Sequence, residues 1–202
     1  FRDGSKVGDF AASDLDELSL ARHMTGRDIV YTRYHRENTD DAPLLEVRDL
    51  TRDGHYTNFS LTVRPGDIVG LTGLLGSGRT EVALSLFGLN KPDTGSIAVK
   101  GQPVTITAPW DATANGIALL PEDRLDQGLF PSQSVASNVS ATMSERVVNR
   151  WGIIRPRRER QLATDVVHAM GVNNKDTEID VVKLSGGNQQ KVVIGKWIFR
   201  DP

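Results

Sequence analysis

The spacing of apolar and polar residues changes several times along this chain, and each change marks an element. Ser13 to Met24 places Leu15, Leu18 and Ala21 or Arg22 at helical spacing, which predicts a short amphipathic helix with Ser13 as its N-cap and Asp16 and Glu17 in its first turn. Ahead of it, Arg2-Asp3-Gly4 reads as the turn of a hairpin already begun. The span 31–43 is polar, charged and without period, so it reads as a linker. From Leu44 the pattern alternates. LLEVRDL and then Phe59 to Val63 have the two-residue period of half-buried strands, closed by the turn Pro65-Gly66-Asp67.

An apolar run, Ile68-Val69-Gly70-Leu71, leads next into a glycine-rich turn and then into apolar residues at helical spacing, which predicts strand, loop and helix in that order. Two short strands are expected on either side of Gly101-Gln102. A helix ending at Asn115-Gly116 and a buried strand over Ile117 to Leu120 follow. From Gln133 the character is helical: Ser134 to Met143 is one candidate, and Arg157 to Met170 another, with Leu162, Val166, Val167 and Met170 on its core face. Strands alternating with helices make this an α/β chain.

Composition narrows the picture by exclusion. Hydrophobic residues at 38% and charged residues at 25% suit a globular protein, and a formal charge of -2 offers no basic surface for nucleic acid. With no cysteine, disulfides, thiolate metal sites and a cysteine nucleophile are all ruled out for these residues. No apolar stretch approaches the ~20 residues of a membrane helix, so membrane association would run through a partner.

Two segments carry chemistry. Gly73-Leu74-Leu75-Gly76-Ser77-Gly78-Arg79-Thr80 is the phosphate-loop pattern with arginine in place of lysine, and Glu81 follows it. Its glycines let successive N–H groups and the positive end of the next helix face one concavity. Thr80 supplies a hydroxyl for magnesium, and Arg79 a fixed charge near the outer phosphates. A ligand-free glycine turn is the competing explanation. The second segment, Leu184-Ser185-Gly186-Gly187-Asn188-Gln189-Gln190-Lys191, precedes the apolar VVIGKWIFR. Ser185 as N-cap with Gly186 and Gly187 behind it predicts a second anion-binding helix start. Alone, that pattern is weak and favours a plain capped helix start.

Together, at a separation of about a hundred residues, the two segments resemble the ATP-binding subunits of ABC transporters, in particular the ribose, galactose and xylose importers. LSGGNQQK is that family's signature, Gly78 to Glu81 read as in its second nucleotide-binding domain, and Pro121-Glu122-Asp123-Arg124 falls in the region of its glutamine loop. The resemblance implies a P-loop NTPase fold of ABC type with an antiparallel β subdomain and a helical subdomain over about 123–183. Residues 1–30 would be the tail of a preceding nucleotide-binding domain and 44–202 a second one, truncated at its C-terminus, since the family continues past Pro202 into a magnesium-binding aspartate, a catalytic glutamate and a switch histidine. His23, His35, His55 and His168 all precede the signature and are expected at the surface.

The resemblance further implies ATP and Mg2+ as cofactors, with Gly73 to Glu81 holding one nucleotide and Ser185, Gly186, Gly187 and Asn188 facing the γ-phosphate of a nucleotide held by another domain. Partners would be another nucleotide-binding domain in the same parent chain or a second subunit, permease subunits, and indirectly a periplasmic or extracellular sugar-binding protein. The location would be peripheral, on the cytoplasmic face of the cell membrane, and nucleic acid is not expected. Three departures stand out. Arg79 replaces the usual lysine, Glu122 stands where glutamine contacts metal and water, and for the adenine-stacking aromatic the segment before the loop offers only His55 and Tyr56, each equally well a surface turn residue. No catalytic residue is therefore assigned apart from Glu122 by position, and hydrolysis by these residues alone is not expected. Two alternatives are a non-transport ABC ATPase acting as a mechanical switch and a non-catalytic regulatory half. Uncovered apolar surface and marginal stability are expected as well.

Overall fold

A computed structural model describes residues 5–26, 28 and 41–202. The chain divides into two units, 1–40 and 41–202. The expected hairpin turn at Arg2-Asp3-Gly4 and nearly all of the linker 31–43 lie outside the described residues.

In the first unit, a helical turn over Ala12–Asp14 precedes helix α1, Glu17–Thr25. The cap is Asp16 rather than Ser13. Its carboxylate accepts the Ser19 N–H at 2.8 Å, while the Ser19 hydroxyl accepts the Asp16 N–H at 3.0 Å. Those bonds hold the Asp16 carboxyl below the usual carboxylate value, the Ser19 side chain contributing most. Ser13 is left to donate to its neighbour Asp14. The helix begins at Glu17, which makes Asp16 the cap and Ser19 the residue that closes the reciprocal pair.

The second unit is built on a four-stranded antiparallel sheet in the order β2-β1-β3-β4, with β1 Leu45–Arg52, β2 Tyr56–Val63, β3 Thr94–Val99 and β4 Gln102–Val104. A bulge at Asp49, whose φ is +49°, lets β1 pass three residues from Val47 to Leu50 while β2 passes two from Leu61 to Phe59. Both Val47 and Leu50 thereby turn into the core, which strict alternation forbids. With Phe87, Ile97, Ile106 and Ala112 they form the sheet's core.

Helix α2 spans Arg79–Leu86 and α3 Pro109–Ala114, the latter closed at Asn115 and Gly116 as expected. Asp111 caps α3 by accepting from the Thr107 N–H, the Thr107 hydroxyl and the Ala108 N–H at 2.7–3.1 Å; these bonds, led by the Thr107 N–H, hold its carboxyl below the ordinary value. Helices α4 Val135–Ser140, α5 Ser144–Val147, α6 Pro156–Ala169 and α7 Gly186–Ile198 enclose a second core of Val135, Val139, Met143, Val166, Val181 and Val192, none more than 1% exposed. The Phe87 and Trp197 rings meet edge to face, 5.7 Å apart, and join the two halves.

Two expected strands are missing. Ile68 to Leu71 and Ile117 to Leu120 join no ladder. A strand is defined by a partner's hydrogen bonds, and among the described residues neither segment has one. Ile68 is 78% exposed and Leu120 53%.

Candidate functional site

The glycine turn folds as a compact loop. The Ser77 N–H donates to the Leu74 carbonyl at 3.1 Å, and Gly76 and Gly78 have φ of +78° and +85°. Gly78 is the N-cap of α2. A Cβ there would lie 2.5 Å from the His55 carbonyl oxygen, so glycine is needed both for conformation and for space. Leu74 and Leu75 project from the loop, Leu75 fully exposed. Beneath, the Tyr56 hydroxyl donates to the buried Ser85 hydroxyl at 2.7 Å, which holds that ring against the sheet core and ties β2 to α2.

On one side of the loop lies a cavity of about 380 Å³ whose lining includes Leu71, Arg79, Thr80, Glu122, Asp123 and Gln127. The phosphate-loop cation and hydroxyl thus share one space with the carboxylate that replaces glutamine. Arg79, Thr80 and Glu81 occupy the first turn of α2, and residues 119–123 line the same cavity as Arg79 and Thr80. A second cavity, about 490 Å³, continues past Pro121 and Gln127 to Leu84, Lys196 and Trp197.

Ser185, Gly186, Gly187 and Asn188 line neither cavity. Ser185 occupies the N-cap position of α7, with φ -61° and ψ 153°, but its hydroxyl makes no capping bond and instead accepts from the Asn188 amide at 3.0 Å. The capping role expected of this side chain is therefore not observed, and the N–H groups of the first turn keep their donors free of it. Asn188 is held in turn by the Asn173 N–H, which donates to its Oδ1 at 3.2 Å. A Cβ on Gly187 would meet nothing within 4 Å, whereas one on Gly186 would lie 2.8 Å from an Arg124 nitrogen.

Several residues without an expected role fasten these pieces together. Asp123 caps the turn Arg124–Gly128 by accepting from the Leu125 and Asp126 N–H groups. Gln189, 5% exposed, accepts from Arg124 Nε at 3.2 Å and donates to the Val181 and Val182 carbonyls at 3.3 Å. Lys196 is buried and donates through Nζ to the Gly128 carbonyl; burial alone pushes its ammonium below the ordinary lysine value. The one available signal was position: Arg124 and Gln189 both sit inside the quoted motifs, and no local pattern pairs residues 65 apart.

A family model described as ABC transporter matches residues 56–202, well over half of the chain. The chain belongs to that family. Curated relatives of the ABC family extend the match to nearly every residue. The putative ribose/galactose/methyl galactoside import ATP-binding protein 3 of Burkholderia cenocepacia (strain HI2424) is 43% identical over 98% of this chain and 39% of its own length. The ribose import ATP-binding protein RbsA 1 of Streptomyces coelicolor is 40% identical over all of this chain and 40% of its own. The chain thus spans about two fifths of the length of these relatives. Among solved ABC structures, cbiO1 from Clostridium perfringens, part of the ABC transporter complex cbiONQ, superposes with a TM-score of 0.60 at 20% identity, covering 79% of this chain and 62% of that one. MJ1267, an ATP-binding cassette of an ABC transporter, gives 0.62 at 19% identity over 80% and 66%. The expected α/β ABC-type fold is therefore established.

Proposed function

We propose that this chain is the nucleotide-handling part of an ATP-binding subunit that energises sugar import through a membrane permease. The observation that carries the reading is the shared cavity: Arg79 and Thr80, which follow the phosphate loop at the start of α2, line one space of about 380 Å³ together with Glu122. Guanidinium and backbone N–H groups suit phosphate oxygens, and a hydroxyl with a carboxylate suits a divalent cation between them. Such a cation also removes the repulsion that Glu122 would otherwise exert on phosphate. Mg-ATP fits this donor set. The import ATP-binding names of the relatives support sugar as the cargo.

Under this reading Gly73 to Glu81 hold the nucleotide of this domain, and Ser185, Gly186, Gly187 and Asn188 serve a nucleotide held by another domain. The separation of the signature from the cavity, and the open space over Gly187, favour that division. Residues 1–30 belong to a preceding nucleotide-binding domain, 31–43 link it to the second, and about 123–183 meet the permease at the cytoplasmic face of the membrane. Among the described residues no helix is long and apolar enough to cross a membrane.

Arg79 beside Glu122 favours a half that holds ATP while the other half of the pair hydrolyses it. Sugar uptake by cells carrying single substitutions in the full-length protein tests this. Ser185→Ala should reduce uptake far more than Arg79→Ala, and equal losses, or a larger loss from Arg79→Ala, would contradict the division of labour.

A further inference from the structure

The turn between α5 and α6 holds its largest apolar side chains in water. Trp151 is 73% exposed, Ile153 62% and Ile154 49%. Single exposed apolar residues are ordinary on a surface, but three within four positions form a patch. Hydrogen bonds fix the backbone that carries them. The Asn149 carboxamide oxygen accepts the Trp151 and Ile153 N–H groups at 2.8 and 3.0 Å, and the Asn149 N–H donates to the Ile153 carbonyl at 2.8 Å. Gly152, with a φ of +75°, closes the turn by donating to the Asn149 carbonyl. Beyond it Val148 pairs with Ile154, and the Arg155 N–H donates to the carbonyl of the buried Val147. The turn is thus anchored in the helical core while its apolar side chains stay outside it.

The same stretch is basic. Arg150, Arg155, Arg157 and Arg158 are exposed, residues 149–158 contain no carboxylate, and among the described residues none of these four arginines makes an ion pair. The next residue, Glu159, is taken by the Ser140 hydroxyl, which donates to it at 2.7 Å. The Arg150 guanidinium lies 4.9 Å from the centre of the Trp151 ring, so cation and aromatic face form one unit. Arg157 and Arg158 stand in the first turn of α6, where the positive end of the macrodipole disfavours cations, so their charge does not serve the helix. A chain charge of -2 conceals this concentration.

We propose that residues 149–158 form a membrane-contact surface that takes anionic lipid headgroups. The arginines meet lipid phosphates, and Trp151, Ile153 and Ile154 enter the boundary with the acyl chains. A guanidinium fork matches phosphate oxygens, and an indole, apolar in its ring and polar at its N–H, favours the membrane–water boundary. A protein groove fitted to this face would have to supply both an apolar pocket and several carboxylates. An anionic bilayer offers the two layers in that order at every position. Each arginine near such a surface is worth about fivefold in affinity, and salt screens the attraction.

The test sediments the full-length protein with vesicles of phosphatidylcholine alone or mixed with phosphatidylglycerol. No nucleotide is added, so the outcome is independent of the function proposed above. Binding to the mixed vesicles, absent on phosphatidylcholine and falling as salt rises, is expected. Arg150→Gln/Arg157→Gln should weaken it about 25-fold, whereas Arg150→Lys/Arg157→Lys should retain most of it. Trp151→Ala should weaken it about 10-fold. Lys91→Gln/Lys100→Gln, which removes the same charge from exposed positions on the sheet side, should leave it nearly unchanged. No binding to the mixed vesicles, equal binding to both kinds, or equal losses from the two glutamine pairs would overturn the proposal, as would a lysine pair that binds as poorly as its glutamine counterpart. Binding to phosphatidylcholine vesicles that carry the permease, lost with Arg150→Gln/Arg157→Gln, would overturn it as well, because the face would then be fitted to a protein.

Discussion

The helical half and the phosphate-loop half of the 41–202 unit use the same kinds of side chain to opposite ends. In the first, Met143, Val147, Val166 and Val192 are enclosed by four helices and a turn, and even the buried Asn138 is satisfied, accepting from the Phe130 N–H and donating to carbonyls of Phe130 and Ser134. In the second, Ile68, Val69, Leu71 and Leu75 face outward on a backbone without ladder partners. Apolar side chains stabilise a fold only in proportion to the area they remove from water. Burial is therefore concentrated around α4, α6 and α7 and is least along the loop and the segments flanking it.

The largest effect is expected where enclosure is complete. Met143→Ala should cost about 2–4 kcal/mol, because a fully buried side chain leaves a cavity that close-packed neighbours cannot fill; urea denaturation followed by far-UV circular dichroism measures it. A cost below ~1 kcal/mol would show that the helical core is looser than its burial implies.

Lys196 sharpens the comparison, since it is a charge buried where the two halves meet. Its folded-state pKa is lowered by burial relative to 10.5. Between those two values the unfolded chain binds more protons, so stability rises as pH increases through the window. Below it, the folded protein carries the whole penalty of a buried ammonium. Lys196→Met removes that penalty together with one hydrogen bond of ~1 kcal/mol, and at pH 7 the two should offset to within about 1.5 kcal/mol. The stability difference between parent and variant should shift in the parent's favour as pH approaches 10.5. A difference that stays flat with pH would contradict the assignment.

The smallest effect is expected on the open side. Ile68→Ala should change the stability of this chain by less than about 0.5 kcal/mol, as substitutions at exposed positions do. A loss of 2 kcal/mol or more in the same denaturation experiment would mean that the segment is covered in solution.

How much of this was legible in the residues follows from the range of the forces involved. Strands β1 to β4, the turn at Gly101, the closure of α3 at Asn115-Gly116 and helix α6 all rest on local period and turn chemistry, and all were readable. The phosphate loop was readable for the same reason: its glycines stand where positive φ and close backbone approach require them. Ile68 to Leu71 failed as a strand because a ladder depends on a distant partner, which no local pattern reports. Ser185 was read as a cap from its position, yet Asn188 competes for its hydroxyl. The grip of Arg124 on Gln189 and of Lys196 on Gly128 spans more than sixty residues of sequence and appears only once α7 is docked.

The central claim is that the cavity beside Arg79 and Thr80 receives a magnesium-bound nucleotide. Titration of the full-length protein, with the nucleotide site of its other half disabled, with a fluorescent ATP analogue in the presence of magnesium tests it most directly, comparing the parent with Arg79→Ala and Thr80→Ala. Saturable binding, weakened about 10-fold or more by either substitution, as loss of one charge-assisted contact requires, is the predicted result. No saturable binding, or binding indifferent to both substitutions, would contradict it.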